Sequence, residues 1–226
     1  MIGFLMNKFK MIELNKIHCM DCLDGMKLMP NNSVDLVVTD PPYGIGIGSK
    51  VGGGKLAKVK EYISFDDSKI PTKEIFNEML RVSKNQIIFG GNYFIRYLTN
   101  SSCWIVWDKD NTGNFADCEL AWTSFNTAVR KFKYRWNGML QENMSWKEKR
   151  FHPTQKPVPL GRWLLKHYAK EGDLIFDPFA GSGSFLVACK QKGFDFIGCE
   201  INKDYIKIAN KRLKQNNLND WFGNQE

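Results

Sequence analysis

The sequence predicts an α/β protein built on a mostly parallel, doubly wound sheet, and two stretches carry that prediction. In the first, an apolar strand from Asp173 to Phe176 runs into the glycine loop Asp177-Pro178-Phe179-Ala180-Gly181-Ser182-Gly183. A helix bearing Phe185, Leu186, Ala188 and Cys189 follows, then a strand from Phe194 to Cys199 closed by Glu200, then a helix from Asp204 to Leu213. Strand, helix, strand, helix at this spacing is the repeating unit of such a sheet. The second stretch is the β-branched run Val34-Asp35-Leu36-Val37-Val38-Thr39, which stops at Asp40-Pro41-Pro42-Tyr43 because neither proline can donate to a strand ladder.

The other elements follow in chain order. Lys16 to Met20 reads as a short strand ending at Asp21, and Cys22 to Met29 as one or two helical turns. Gly44 to Gly54 is glycine-rich without a hydrophobic period, with Lys50, Lys55, Lys58 and Lys60 close by, which predicts a basic loop. Pro71-Thr72 opens a helix with Ile75, Phe76, Met79 and Leu80 on one face, followed by a strand from Gln86 to Phe89 that ends in Gly90-Gly91-Asn92-Tyr93. Cys103–Trp107 and Glu119–Phe125 are further strand candidates. From 126 to 152 the pattern breaks, and Arg130, Lys131, Lys133, Arg135, Lys147, Lys149 and Arg150 interleave with Phe132, Tyr134, Trp136 and Trp146. Such a mixture suits either a nucleic-acid contact or a solvated insertion pinned to the core by its aromatics. After His152-Pro153-Thr154-Gln155-Lys156-Pro157 comes an amphipathic helix with Leu160, Trp163, Leu164 and Tyr168.

A chain of 226 residues, 43% hydrophobic, suits one compact domain. No run of about 18 apolar residues occurs, and the opening MIGFLMNKFK has too short an apolar stretch and no small-residue cleavage site for a signal peptide, so a cytoplasmic location is expected. The six cysteines are scattered, and Cys19-x-x-Cys22 lacks a second pair, so free thiols and no metal site are expected. A net charge of +8 attracts polyanions in general, which informs only beside a site that needs one.

The two strand-end loops carry chemistry. Glycines at 181 and 183 permit close backbone approach, and Glu200, ending the next strand, is positioned to accept ribose hydroxyls, so an adenosine-containing cofactor is indicated. A dinucleotide fingerprint would need a third glycine, which is absent, and Asp177 opposes a pyrophosphate. Asp177 suits a cofactor with a sulfonium and an ammonium, with the Phe179 face nearby. In the Asp40-Pro41-Pro42-Tyr43 loop, the Asp40 carboxylate and the Pro41 carbonyl are two acceptors for the N–H groups of a planar amine whose lone pair must be freed for attack. The prolines stiffen the loop, and Tyr43 offers a face for stacking on a base. As isolated features, these loops also read as ordinary turns; their pairing at the carboxyl ends of adjacent strands would make a ligand site.

These residues resemble the bacterial and phage N6-adenine/N4-cytosine DNA methyltransferases of the β arrangement, in which the catalytic segment precedes the cofactor loop. VDLVVTDPPYG, IIFGGNYF, WIVWDK, HPTQKP, DPFAGSGS and GCEINKDYIKIANKRL all look like that family and come in its order, from about Lys16 to Leu213. The resemblance implies a Rossmann-like class I sheet of about seven strands in circularly permuted order. It implies a single catalytic domain with recognition insertions near 44–68 and 126–152, and S-adenosylmethionine as cofactor. Asp40, Pro41, Pro42 and Tyr43 are then catalytic and base-holding. Asp177, Phe179, Gly181, Ser182, Gly183 and Glu200 hold the cofactor, Asp21 meets its adenine, and Thr154 and Lys156 lie near its methionine carboxylate. Lys50, Lys55, Lys131, Lys133 and Arg135 are the candidate DNA contacts. Double-stranded DNA is the implied partner, with room for a homodimer and a restriction partner. Aspartate at position 40 leans toward adenine N6, since cytosine-N4 members usually carry serine there. No Pro-Cys pair occurs, so C5-cytosine chemistry lacks its nucleophile. The alternatives are methylation of cytosine N4, of RNA or of a protein amide, and a silent DNA- or cofactor-binding module that keeps the fold.

Overall fold

The computed structural model describes residues 12–46, 67–111, 116–137, 140–145, 147–152 and 154–215. Most of the expected basic loop, including Lys50 and Lys55, and also Trp146 and Pro153, lie outside the described residues.

Among the described residues, ten strands and five α-helices follow in order. They are β1 (Lys16–Cys19), α1 (Cys22–Lys27), β2 (Val34–Thr39), α2 (Lys73–Val82), β3 (Ser83–Phe89), β4 (Trp104–Asp108), β5 (Cys118–Thr123), β6 (Arg130–Lys133), β7 (Trp136–Asn137), β8 (Leu140–Gln141), α3 (Val158–Tyr168), β9 (Leu174–Asp177), α4 (Ser184–Lys192), β10 (Asp195–Glu200) and α5 (Lys203–Lys214). Eight strands form one sheet in the order β1-β10-β9-β2-β3-β5-β4-β6, and β7 and β8 form a separate hairpin. The sheet has one strand more than the expected seven or so, because Arg130–Lys133, expected in an irregular insertion, pairs parallel with β4 as the edge strand. Its exposed, basic sequence hid it: an edge strand buries neither face fully, so it shows no hydrophobic run.

The central strands read as near-continuous apolar runs because helices cover both faces. Alternate residues go to opposite cores. Leu36, Val38, Ile87 and Phe89 pack with Leu160 and Leu164 of α3 and Leu186 of α4. Val37 and Ile88 pack with Met26 of α1 and Phe76 and Met79 of α2. The helices are set by local chemistry: Asp21 caps α1 by accepting from Leu23 N–H, and Asn202 caps α5 by accepting from Asp204 and Tyr205 N–H.

From the adjacent pair β9 and β2 the chain winds outward in both directions, β2 to β3 on one side and β9 to β10 on the other. That is a topological switch point, with its crevice at the carboxyl ends of the strands. β1 pairs parallel with β10, so the strand ending before Asp21 lies beside the one closed by Glu200. Only β5 in this sheet runs antiparallel to its neighbours. Its amino end, Cys118 and Glu119, therefore faces the same crevice, beside the carboxyl end of β4, with Asp108 opposite Cys118 and Trp107 opposite Glu119.

Candidate active site

A cavity of about 680 Å³ opens at this edge and is lined by Asp21, Asp40, Pro41, Pro42, Tyr43, Thr154, Lys156, Asp177, Phe179, Gly181, Ser182 and Glu200. Its size is that of an ordinary small-molecule site. Gly183 lies just behind: its φ of +80° begins α4, and a Cβ there would sit 2.9 Å from Ala209 of α5, so glycine lets the loop close onto that helix.

On the glycine-loop side, the buried Asp177 carboxylate accepts from the Thr39 hydroxyl at 2.8 Å and from Phe179 N–H at 3.1 Å. Burial pushes this carboxyl up to about 7, against the help of Thr39 and Phe179. Glu200 accepts from Gly181 N–H at 2.8 Å and Asn202 N–H at 2.7 Å, which fixes the loop against β10. Burial raises its carboxyl as well. Gly181 has a φ of +50°, and no atom lies within 4 Å of where its Cβ would be, so that side is open to a ligand. Ser182 is buried, and its backbone oxygen accepts from Arg212 at 2.6 Å. A buried acid, a glycine loop and a second acid at the next strand end suit a cofactor with a ribose and a positive charge.

Thr154 hydrogen-bonds its hydroxyl to His152 Nδ1 at 3.0 Å. Burial and the nearby charges of Lys156 and Arg150 bring that imidazole down to about 4, so it is neutral, and its ring packs on Tyr205.

On the other side of the crevice, the Tyr43 hydroxyl donates to Asp40 Oδ1 at 2.5 Å, and Lys156 Nζ donates to Asp40 Oδ2 at 2.5 Å. The Tyr43 ring stacks on Tyr93, with centroids 4.9 Å apart. Its phenol stays protonated because burial and the Asp40 charge both oppose ionisation. The loop's other anchor is Asp67, which accepts from Tyr43 N–H at 2.7 Å and Gly44 N–H at 3.0 Å. Lys156, 4% exposed along its side chain, also pairs with Glu119 at 2.9 Å, and Glu119 pairs with Lys109 at 2.5 Å.

Thus the structure brings Asp40, Tyr43, Asp21, Thr154, Lys156, Asp177, Phe179, Gly181, Ser182 and Glu200 to one cavity. Its described contacts tie Lys156 to the Asp40 side. Lys131, Lys133 and Arg135 do not line it; they pair with Asp108 at 3.4 Å and Asp110 at 2.9 and 2.5 Å. Sequence reasoning missed Lys109, Glu119 and Tyr93. The last lies in the IIFGGNYF segment, and Lys109 closes WIVWDK, but a lone Glu at the start of a strand gives no sign that its strand is reversed.

A family profile described as DNA methylase matches residues 62–211, and one described as an RMKL-like methyltransferase domain matches residues 7–60. The chain belongs to the N6-adenine/N4-cytosine DNA methylase family. Among curated relatives, the type II methyltransferase M2.DpnII of Streptococcus pneumoniae is 28% identical to this methyltransferase, over 93% of this chain and 92% of its own. Among solved structures, M1.HpyAVI in complex with SAM is 24% identical with a TM-score of 0.56, over 87% of this chain and 98% of its own. The cytosine-N4-specific PvuII DNA methyltransferase is 16% identical with a TM-score of 0.57, over 89% of this chain and 87% of its own. Both share the fold of this methyltransferase. Among the described residues, no group of His, Cys, Asp and Glu can hold a metal, the cysteines are free, and no helix is long and apolar enough to cross a membrane.

Proposed function

We propose that this methyltransferase moves a methyl group from S-adenosylmethionine to N6 of adenine in double-stranded DNA, by direct attack of the amine of a base flipped into the cavity. The carrying observation is that the Asp40 loop and the Asp177 loop leave adjacent parallel strands, β2 and β9, and share one cavity. S-adenosylmethionine is the methyl donor, and it supplies an electrophilic methyl on a sulfonium. When it is bound, Asp177 would face its positive charge, Glu200 would hold its ribose and Asp21 would meet its adenine.

On the acceptor side, Asp40 and the Pro41 carbonyl take the amine's two N–H groups, which frees the nitrogen lone pair and stabilises the charge that develops as the N–C bond forms and the sulfonium's S–CH3 bond breaks, its electron pair staying on sulfur as a neutral thioether. The amine then gives up one proton to Asp40. Tyr43 and Tyr93 supply aromatic faces that offset the few kcal/mol, roughly, of extruding a base. The chain reads as one catalytic domain, with sequence recognition drawn from residues 44–68 and the part of 126–152 beyond β6.

Aspartate at position 40 favours adenine over cytosine N4, the reading that the PvuII likeness keeps open. The test is to incubate the protein with S-adenosylmethionine and unmodified genomic DNA and to analyse the nucleosides by mass spectrometry. N6-methyladenosine is expected; N4-methylcytosine would keep the mechanism and change the base. Asp40→Ala should abolish transfer and leave cofactor affinity within about twofold, because its carboxylate takes the target amine.

A further inference from the structure

Asp40 is held on both oxygens, but by two different kinds of donor. Oδ1 receives the Tyr43 hydroxyl, a neutral donor on a half-buried ring. An incoming N–H can replace it without changing the charge at that oxygen. Oδ2 receives the Lys156 ammonium, which is fixed from behind by Glu119 at 2.9 Å and lies 5.5 Å from the Tyr43 ring centre and 5.4 Å from that of Phe89. Displacing it would break two ion pairs in a largely buried place. Glu119 is itself held by Lys109 at 2.5 Å. Two carboxylates and two ammoniums therefore balance, across the loop after β2, the loop after β4, the start of β5, and the segment before α3.

We propose that Lys156, anchored by Glu119, is a positioning residue for the acceptor side of the site: it holds Asp40 by Oδ2 and leaves Oδ1 to the target amine. This rests on the direct-attack reading above. It departs from the cofactor-carboxylate role implied by the resemblance, since every described polar contact of the ammonium lies on the Asp40 side. It also explains how a largely buried carboxylate serves as an acceptor: burial and the Glu119 charge press Asp40 toward the protonated form, and Lys156 opposes both. The other titratable groups facing Asp40 are Tyr43, which donates to it, and Asp177 on β9, whose own carboxyl the Asp40 charge helps to raise.

The sign of each charge gives the test. Lys156→Met removes the cation nearest Asp40 and should move the Asp40 titration, and with it the acid limb of kcat, upward by about one pH unit or more. Glu119→Gln removes an anion and should move both downward, with a lowered kcat because the ammonium has lost its anchor. Lys156→Arg should restore the acid limb most of the way. Affinity for S-adenosylmethionine should stay within about twofold throughout. The Asp40 titration is read in the cofactor-free protein from the carboxyl carbon resonance of 13C-aspartate, assigned with Asp40→Asn, so it needs no turnover. General structural damage cannot shift two titrations in opposite directions. If Lys156→Met does not fold, the nearly isosteric Glu119→Gln still carries the sign. Shifts in the same direction, or an unmoved Asp40 beside a tenfold loss of cofactor affinity in Lys156→Met, would overturn the proposal. Opposite shifts in a protein that methylates no DNA would uphold the placement of Lys156 and sink the direct-attack reading.

Discussion

Asp177 carries a testable pH dependence in a single side chain. Its folded carboxyl stands at about 7, raised by burial and by the charges of Asp40 and Glu200. An unfolded aspartate lies near about 3.9. Its contribution to stability is thus fully present below about 3.9 and is lost as pH rises through about 7, where the buried group must ionise. A cationic cofactor favours the ionised form, so the rise in Tm on adding saturating S-adenosylmethionine should be larger at pH 8 than at pH 6. Asp177→Asn should remove that difference, and equal rises in the parent protein would detach this carboxylate from the cofactor's charge. Gly90 is a second such residue. Its φ is +70°, and a Cβ there would come within 2.2 Å of the Tyr43 ring. Gly90→Ala should push Tyr43 off its stack on Tyr93 and lower kcat by about 100-fold, as misplacement by an ångström does, with cofactor affinity kept; calorimetry beside a turnover assay would detect both. Asp40, Asp177 and Glu200 were legible in the sequence because each ends or follows an apolar strand. Lys109 and Glu119 were not, because a charged residue at a strand end looks the same whether it faces solvent or a site.

Among the elements, α5 is tied to the segment before α3 by a buried ion pair. Arg212 reaches Glu148 at 2.9 Å and the Ser182 backbone oxygen at 2.6 Å, while Glu148 also accepts from Val158 N–H and from Gln155. Arg212→Met leaves Glu148 buried without its cation and should cost about 3–5 kcal/mol, read as a fall in urea midpoint. Arg212→Met/Glu148→Gln should recover part of that loss; an unchanged midpoint in the single variant would mean that the pair holds nothing together. The helix periods of α2, α3 and α5 could be read directly from their apolar spacing, since one face of each is covered. The reversal of β5 could not: antiparallel pairing leaves no mark on composition, and it depends on the chain between β4 and β5 doubling back.

For the whole molecule, the net charge of +8 bears on DNA only where it is free to act. Lys131, Lys133 and Arg135 are exposed but face Asp108 and Asp110, so a phosphate must compete with those carboxylates. Replacing all three by Ala should therefore flatten the plot of log affinity against log salt by less than the roughly 2.7 expected of three free contacts. Asp110→Asn, which releases Lys133 and Arg135, should steepen it; if neither variant changes the slope, the DNA lies on another face. The parallel sheet and its switch point were legible because the strands covered on both sides announce themselves as apolar runs. The edge strand β6 was not, since it lies at the sheet's border. The placement of β1 against β10 also matters during synthesis. In the sheet β1 pairs only with β10, whose residues lie about 180 positions later. At roughly 5–20 residues per second, the ribosome must run for some 10 to 40 seconds after β1 is made before its partner exists. Until then that strand is an open edge, and the cofactor crevice is one of the last parts of the protein to close.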